Sequence, residues 1–529
     1  AKNRYETKTL SFGSQFESGN LSQAIRIGEF EYDLLLSSDT NSMCHVQWFY
    51  FAIYGLKRRR KYRFNFLNLE KQDSLYNLGM QPLMFCPLAA SELGIGWKRV
   101  GTDISYYLNP FTKVTNERKR ASCYSASMIF KLPDRFSDDN PNSPHFFSYC
   151  YPYTYRNLMT DLANLQSSRK HCFKKSLLCK TLGGNDCPLI TITNFSETKA
   201  VNIREEEPCS ETNLFDDDLS FLPVSQRRYV VITSRVHPGE TNASWMMRGL
   251  LKFLTSDSAE AFSLRNHVIF KIVPMLNPDG VIVGNYRCNL AGVDLNRKWS
   301  KPDISTSPTI YYLKRLLLKI HGVASNQKIL AFIDMHGHSR KRSLFMYGCQ
   351  EGKKSTEAYV ELLPNLMNRR CEYFSLESCN YKVTKAKSSC GRVSVSRKLK
   401  IPFSYTIEAS LCGSDTYHFH TSHFERMGRD TAKAIWDLVN PNQDIVKEVL
   451  QSLGVAEMEN GIIEDDMEAC GQQNGNPSSR READVCPDVQ KHSRSNQVQK
   501  VGKKKTIRKA CPQSKSNSST FVKRRHSKK

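Results

Sequence analysis

The sequence lacks the features of secreted and membrane proteins. Its first six residues, AKNRYE, contain no apolar segment, so we expect no signal peptide. No uncharged apolar run reaches the ~18 residues that a membrane-spanning helix needs. The 17 cysteines are odd in number and form no CxxC pair, which is typical of reduced intracellular proteins and not of disulfide scaffolds. We therefore expect a soluble protein of the cytosol that does not contact membranes.

Acidic residues are scarce relative to basic ones. The chain has 52 Asp and Glu against 76 Lys and Arg, which gives a net charge of +24. Residues 489–529 contain fourteen of these basic residues and no acidic residue. The excess favours acidic partners, although charge alone does not distinguish a nucleic acid from an acidic protein.

The first region, residues 1–151, is rich in aromatic and alternating runs separated by turn residues. This spacing predicts an antiparallel β-sandwich. The region contains no catalytic constellation, so we interpret it as a packing or substrate-docking domain. The predicted strands cover residues 29–36, 46–54, 62–69, 124–132 and 145–151.

The second region, residues 152–454, alternates strand-like and helical stretches. This order predicts an α/β fold, a mixed sheet with helices on both faces. The predicted strands are 189–193, 229–233, 267–275, 329–334 and 403–407, and the predicted helices are 155–168 (capped by Thr154), 243–254, 309–321, 355–370 (kinked at Pro364), 424–439 and 444–453.

The third region, residues 455–529, is dominated by polar and charged residues with few aromatics. It cannot bury enough apolar surface to offset its chain entropy, so we predict a disordered basic tail.

Three candidate metal ligands follow two of the predicted strands. Strand 229–233 precedes His237 and Glu240, which stand three positions apart and can face the same ion. Strand 329–334 precedes His336. Two histidines, one carboxylate and a water form the open tetrahedral set of a catalytic zinc, so we predict one zinc ion per chain.

Two observations bear on this assignment. The HExxH signature of another class of zinc enzymes is absent. His418, His420 and His423 form a rival cluster, but it has no carboxylate at ligand spacing. We therefore expect the metal at the strand ends and not at this cluster.

Further polar residues indicate carboxylate recognition and proton transfer. Arg297 beside Asn296 offers a charged fork and a neutral donor, which match a free carboxylate. Arg287 could polarise a carbonyl under attack. Glu408, after strand 403–407, could accept a proton from the attacking water and pass it to the leaving amine. We expect Asp294 and Asp279 to fix loop geometry.

Together these motifs resemble the zinc carboxypeptidase superfamily, and within it the cytosolic carboxypeptidase (tubulin deglutamylase) branch. The resemblance extends over roughly residues 8–440 and is nearest to the type 2 and type 3 members. It rests on HPGE (237–240), the stretch from NPDG (277–280) to NR (296–297), DMHGH (334–338), YTIE (405–408), and FESGNL (16–21) and QWFYF (47–51) in the N-terminal region.

The resemblance implies the roles of individual residues. His237, Glu240 and His336 are the zinc ligands, and Glu408 is the catalytic base. Asn296 and Arg297 bind the terminal carboxylate, and Arg287 assists the oxyanion.

The resemblance also implies acidic substrates. Members of the branch carry a basic residue that binds the terminal side chain, and Arg392 occupies that place here, with Lys387 and Arg397 as alternatives. The expected partners are acidic C-terminal tails or polyglutamate side chains, above all those of tubulin, and no nucleic acid. One departure is that position 386, where digestive relatives have a substrate-clamping Tyr, is Ala. Tyr381 stands nearby, but nothing in the sequence assigns it that role.

Two other functions remain open at this point. A zinc-dependent deacylase of N-acyl amino acids would use the same ligands, and the Asn296–Arg297 pair would suit its substrate as well. A non-catalytic binder of acidic cytoskeletal tails would keep the fold and the basic surface. The separate N-terminal region favours a protein substrate over a small molecule, and the complete ligand set with its base favours an enzyme.

Overall fold

The computed structural model describes residues 4–6, 10–114, 120–132, 142–195, 227–323, 329–350, 354–401, 403–439 and 444–454. The chain divides into a unit formed by Ala1–Asp466 and a second unit, Met467–Lys529. All described residues belong to the first unit. The predicted disordered tail, 455–529, lies outside the described residues.

The first part of the chain forms two sheets. In chain order its strands are β1 (Arg4–Glu6), β2 (Ser11–Gly13), β3 (Gln23–Arg26), β4 (Glu31–Leu35), β5 (Tyr50–Tyr54), β6 (Lys61–Leu69), β7 (Leu83–Phe85), β8 (Lys98–Arg99), β9 (Thr102–Val114), β10 (Arg120–Lys131) and β11 (His145–Ser148), with one short helix, α1 (Pro87–Leu93). The sheet orders are β1-β2-β5-β11-β7-β8 and β3-β4-β6-β10-β9. Neighbouring strands are antiparallel except β4 and β6, which are parallel.

Aromatic side chains hold these two sheets together. Alternate residues of β4 point inward, and Tyr32 and Leu34 are fully buried. Across the interior the rings of Phe49 and Phe66 stack with centroids 4.3 Å apart, and Phe12 meets Tyr32 edge to face at 5.4 Å. Pairs of this kind add to the free energy gained by burying the rings. The predicted antiparallel β-sandwich is confirmed, and the parallel pair β4–β6 is the one departure among the described strands.

The second part of the chain builds a third, mixed sheet. Its strands are β12 (Phe173–Lys180), β13 (Asp186–Ile192), β14 (Arg228–Ser234), β15 (Val268–Val273), β16 (Ile329–His338), β17 (Leu344–Gln350), β18 (Asn380–Lys382) and β19 (Phe403–Ser410), in the order β12-β13-β15-β14-β16-β19-β17-β18. The four inner strands, β15, β14, β16 and β19, are parallel to one another. Their carboxyl ends therefore meet at one edge of the sheet.

Helices cover both faces of this sheet, as predicted. They are α2 (Tyr155–Ser168), α3 (Thr241–Leu254), α4 (Ala259–His267), α5 (Pro278–Val283), α6 (Pro308–Val323), α7 (Lys354–Arg370), α8 (Gly391–Leu399), α9 (Thr421–Val439) and α10 (Asp444–Ser452). On β14, Val230 and Ile232 belong to a core shared with α3 and α9, whereas Val231 belongs to the core under α6. Because helices cover both faces, β14 and β15 are buried almost throughout and are mainly apolar.

The predicted elements agree with the structure best where the apolar residues follow one clear helical or strand period. Thr154 caps α2 as expected, accepting a bond from the backbone N–H of Asn157 at 3.1 Å. Of the predicted strand 46–54, only β5 (Tyr50–Tyr54) forms a strand. The helix predicted at 355–370 is α7, and it continues through Pro364. The elements that the sequence did not predict include β9, β12, β17, α4 and α8. None of the described helices combines the length and the apolar character needed to cross a bilayer.

Candidate metal centre and substrate pocket

The turn after β14 presents His237 and Glu240 at the edge of the sheet. The fully buried Arg235, at a positive φ of 56°, shapes this turn by donating to the carbonyl of Pro238 at 2.7 Å. Gly239 is required because a Cβ there would lie 2.5 Å from the ring of Tyr286. The turn therefore fixes the two side chains before any ligand arrives.

His237, Glu240 and His336 converge in a buried group. Nδ1 of His237 lies 2.8 Å from Oε1 of Glu240, and Nδ1 of His336 lies 2.9 Å from Oε2. The three potential ligand atoms lie within 4.8 Å of one another, and in the described part of the chain this is the only such group found. The structure thus brings together the three residues that the sequence singled out as zinc ligands.

The other nitrogen of each imidazole faces a second carboxylate. Nε2 of His336 lies 2.7 Å from Asp334, and Nε2 of His237 lies 3.3 Å from Asp294. Both nitrogens of each ring therefore face a carboxylate. A metal that replaced the proton on Nδ1 would leave the Nε2 proton on the second carboxylate, which is the arrangement that metal-binding histidines adopt. Two nitrogens and one carboxylate oxygen suit zinc, so the residues fit the metal that the resemblance implies.

Electrostatics at this centre also favour a cation. Burial would raise the pKa of Glu240, but the two imidazoles hold it well below its usual value. Burial would likewise lower the pKa of His336, yet Asp334 and Glu240 raise it well above its usual value. Three carboxylates surround two histidines, so a positive charge between them is stabilised whether protons or a metal supplies it.

Glu408 stands on β19 beside the metal group. Its Cα is the ladder partner of His336 in the parallel pair β16–β19, so both side chains project from the same face of the sheet. Burial raises the pKa of Glu408 to about 8, and Glu240 adds to the rise, whereas His336 opposes it. A carboxylate whose pKa lies near neutrality is suited to take up and release a proton.

Asn296 and Arg297 lie in the short 3₁₀ turn Leu295–Arg297. Asp294 caps this turn by accepting the backbone N–H of Asn296 at 2.9 Å. The amide oxygen of Asn296 accepts the N–H of Gly391 at 2.9 Å, which leaves its amide nitrogen 3.4 Å from His336.

Arg297 donates to the carbonyl of Asn296, and no described carboxylate lies within ion-pair distance of its guanidinium. Its donors are therefore available to an anion.

Arg287 is anchored by Asp294. Its Nε lies 2.7 Å and its Nη2 2.6 Å from Oδ2 of that carboxylate. Because the other oxygen of Asp294 contacts His237, Arg287 is held at a defined distance from the metal group. The sequence assigned Asp294 only a loop role, and the structure adds these two contacts.

Arg392 is buried near the start of α8, with only 6% of its surface exposed. Its Nε donates to the carbonyl of Gly348 at 3.1 Å, and its guanidinium carbon lies 5.5 Å from the centre of the Tyr347 ring. Its Nη1 lies 3.5 Å from Thr406, two residues before Glu408 on β19. The alternative cations Lys387 and Arg397 are exposed.

Other candidate residues from the sequence have contacts of their own. Tyr381 packs against Gly348, and burial raises its pKa. His418 contacts the carbonyl of Gly79 at 2.9 Å, and the rival cluster contains no metal-binding group among the described residues.

Asp279 accepts bonds from Thr181, Gly183 and Asn185, so it holds the turn between β12 and β13.

Sequence reasoning assigned no role to Asp334. A signal was present, because Asp334 and His336 stand two positions apart on β16 and therefore on the same face. Its other oxygen accepts the hydroxyl of Thr233 on β14 at 2.7 Å, which ties the two strands together beneath the metal group.

Comparison with known proteins identifies both parts of the chain. Residues 158–434, more than half of the chain, match the zinc carboxypeptidase family. Residues 12–126 match the cytosolic carboxypeptidase N-terminal domain. The two matches correspond to the third sheet with its helices and to the two N-terminal sheets.

Curated relatives share this arrangement. Cytosolic carboxypeptidase 1 of Xenopus laevis is 42% identical over 447 residues, 80% of this chain and 34% of that protein. Cytosolic carboxypeptidase 4 of Mus musculus is 40% identical over 79% of this chain and 37% of that protein. Cytosolic carboxypeptidase 2 of Xenopus tropicalis is 38% identical over 84% and 43%. The chain spans less than half the length of these relatives, and the expected likeness to types 2 and 3 in particular is not confirmed.

Solved structures agree on the fold. A metallo-carboxypeptidase from Burkholderia cenocepacia superposes with a TM-score of 0.60 at 18% identity, over 81% of this chain and 98% of that one. A metallo-carboxypeptidase from Pseudomonas aeruginosa, in complex with (2-guanidinoethylmercapto)succinic acid, gives a TM-score of 0.60 at 19% identity, over 83% and 99%. The chain belongs to the zinc carboxypeptidase family and, by its N-terminal domain, to the cytosolic carboxypeptidases within it.

Proposed function

We propose that this protein is a zinc-dependent carboxypeptidase that removes C-terminal acidic residues, glutamate above all and aspartate to a lesser degree, from other proteins. Its substrates are acidic tails or polyglutamate side chains, with those of tubulin as the leading candidates, and it acts in the cytosol. Family membership and the relatives' names support the reaction class. The acidic preference rests on the pocket.

The observation that carries the acidic preference is the buried, unpaired charge of Arg392. Its contacts are a carbonyl, a hydroxyl, a thiol and an aromatic ring, and no described carboxylate lies within ion-pair distance. A guanidinium taken out of water without a counter-ion costs several kcal/mol. A substrate carboxylate that entered beside Thr406 would recover that cost, and a neutral side chain would not.

The residues divide the reaction among them. Zinc, held by His237, Glu240 and His336, would polarise the scissile carbonyl and activate the attacking water. Glu408 accepts a proton from the water and returns it to the leaving amine, so the base becomes an acid within one turnover.

Three further side chains orient the substrate. Arg297 and Asn296 bind the terminal α-carboxylate, which restricts cleavage to the last residue. Arg287 donates to the carbonyl oxygen as negative charge develops on it. With Arg392 on the side chain, each carboxylate of a terminal glutamate meets its own cation.

The test compares matched peptides that end in Glu and in Leu. Arg392→Ala should cost the Glu peptide about 2–5 kcal/mol in apparent transition-state binding, measured as kcat/KM, and the Leu peptide much less. Arg397→Ala, on the exposed end of the same helix, is the matched control and should leave both values within about twofold, as for a surface charge.

An equal loss for both peptides would show that Arg392 supports the fold and not side-chain recognition. Turnover of N-acyl amino acids with none of peptides would favour the deacylase alternative, and zinc-loaded protein that binds acidic tails without turnover would favour the non-catalytic binder. Incubation with polyglutamylated tubulin, followed by mass spectrometry of the released residues, tests the protein target.

A further inference from the structure

The loop that carries Arg287 is held by the N-terminal domain. Asp39, in the connection between β4 and β5, directs its carboxylate at three successive backbone N–H groups of this loop. The N–H of Tyr286 donates to Oδ1 at 2.6 Å, and those of Arg287 and Cys288 donate to Oδ2 at 2.7 and 2.6 Å. Both oxygens are thus used on the backbone that presents the arginine.

Neighbouring residues reinforce the same contact. The backbone N–H and the hydroxyl of Thr40 donate to Oδ1 of Asn285 at 2.9 and 3.1 Å, and the amide of Asn41 donates to the carbonyl of Leu290 at 2.7 Å. Three consecutive residues of the N-terminal domain therefore bind one loop of the catalytic domain.

Asp39 is buried, with 2% of its surface exposed, and its other polar contacts do not include a cation. Burial raises its pKa to about 6, against the three N–H donors, which lower it, so the group is ionised at neutral pH. A buried carboxylate bound by several N–H groups makes strong, short hydrogen bonds and fixes the backbone that donates them.

The loop in turn contacts the metal-binding turn on its other side. The carbonyl of Tyr286 accepts the N–H of Gly239 at 2.8 Å, between the two ligands His237 and Glu240. Asp294 then connects the side chain of Arg287 to His237. A displacement of residues 286–288 would therefore change where the guanidinium meets the substrate.

We propose that Asp39 is a positioning residue for catalysis and that the N-terminal domain is thereby part of the active site. It acts through Arg287 and does not touch the substrate. The proposal rests on the proposed function, because it requires that Arg287 stabilises the carbonyl oxygen during hydrolysis.

The experiment is a double-mutant cycle on the zinc-loaded full chain with a Glu-ended peptide. Asp39→Asn keeps the size of the side chain but loses the charge and turns a donor toward the loop. It should lower kcat by about 10- to 100-fold, the effect expected of a misplaced catalytic group, with KM changed by no more than a few-fold and zinc content unchanged. In an Arg287→Ala background the same change should have an effect of twofold or less, because the group on which Asp39 acts is gone.

Asp33→Asn is the matched control. Asp33 lies on β4 of the same domain, accepts a bond from Asn65 and does not contact the Arg287 loop, so this change should leave kcat near that of the wild type. If the fold-losses in kcat from Asp39→Asn and Arg287→Ala multiply in full in the double mutant, the proposal is overturned. An unchanged kcat in Asp39→Asn would also overturn it.

If Asp39→Asn does not fold, Asp39→Glu replaces it in the cycle, since it keeps the charge and shifts the loop by one methylene. The same coupling to Arg287 is then required, and its absence overturns the proposal. Wild-type protein that cleaves neutral but not acidic ends would refute the proposed specificity alone, and the cycle would be run on the neutral peptide. Wild-type protein without any peptidase activity would refute the proposed function itself.

Discussion

The carboxylate of Asp334 accepts the Nε2 proton of His336 and so orients the imidazole. It also contributes a negative charge beneath the metal group. Asp334→Asn keeps the size of this side chain but removes the charge, so the imidazole becomes a weaker ligand. We expect zinc affinity, measured by competition with a chromogenic chelator, to fall by about 10- to 100-fold.

Asp279→Asn provides the control for this change, since Asp279 is also a buried, hydrogen-bonded carboxylate but contacts neither histidine. An Asp334→Asn protein that keeps wild-type zinc affinity would mean that the metal is bound elsewhere.

Glu408→Gln separates proton transfer from binding. Glutamine has the shape of glutamate but cannot accept the water's proton, so kcat should fall by about 10²–10⁴-fold while zinc content stays the same. Glu377→Gln, at an exposed position, serves as the matched change and should have no effect. Activity within a few-fold of wild type in Glu408→Gln would assign the base to another group.

The sequence predicts the candidate metal ligands, but it does not predict the contact between Asp39 and residues 286–288. His237 and Glu240 follow β14, and His336 and Glu408 lie near the carboxyl ends of β16 and β19. Parallel strands bring such positions together at one edge of the sheet. Asp39 lies 247 residues before Tyr286 and binds only backbone N–H groups, which leave no side-chain pattern in the sequence. Its role depends on how two domains pack.

At the scale of elements, the backbones of α3 and α9 are in close contact at two glycines. A Cβ on Gly428 would lie 1.8 Å from the carbonyl oxygen of Met246, and one on Gly249 would lie 1.9 Å from that of Glu425. Gly428→Ala should therefore force the helices apart and lower the free energy of unfolding by about 1–3 kcal/mol or more, measured by urea denaturation.

Gly322→Ala is the matched control in another helix. Nothing lies within 4 Å of the added methyl group, so this change should be neutral or raise stability by up to about 1 kcal/mol, because alanine favours the helix. If both substitutions were neutral, the crossing would be looser than the structure shows.

The predicted elements followed the strength of their periodic patterns. Helices α3, α6 and α9 have long apolar stripes and were predicted to within three residues at each end. Helix α8, GRVSVSRKL, has β-branched residues and no such stripe, so its sequence favours no helix. It forms because Val393, Val395 and Leu399 bury against the sheet, a tertiary effect that local pattern does not contain.

At the scale of the molecule, the two domains share one core and several polar contacts. A single cluster of buried side chains includes Phe64 and Phe147 of the sandwich as well as Ile333 of the third sheet. Arg99 on β8 donates to the carbonyls of Leu411, Cys412 and Phe419 at 3.1–3.3 Å.

We therefore expect the two domains to unfold together. Calorimetry of the zinc-loaded protein should give one transition with equal calorimetric and van't Hoff enthalpies. Arg99→Ala should lower its midpoint, and Lys98→Ala, its exposed neighbour, should not. Two resolved transitions in the wild type would show that the domains are independent.

The contact between Asp39 and residues 286–288 also has a consequence for protein synthesis. At about 5–20 residues per second, the ribosome adds the partners of Asp39 roughly 12–50 s after Asp39 itself. During that interval the nascent N-terminal domain exposes to solvent the carboxylate of Asp39 and the apolar side chains that the second domain later covers. Chaperones that bind such surfaces on translating ribosomes should therefore engage this chain before its catalytic half is complete, and ribosome-nascent-chain complexes stalled before residue 286 should capture them more than complexes stalled beyond residue 454.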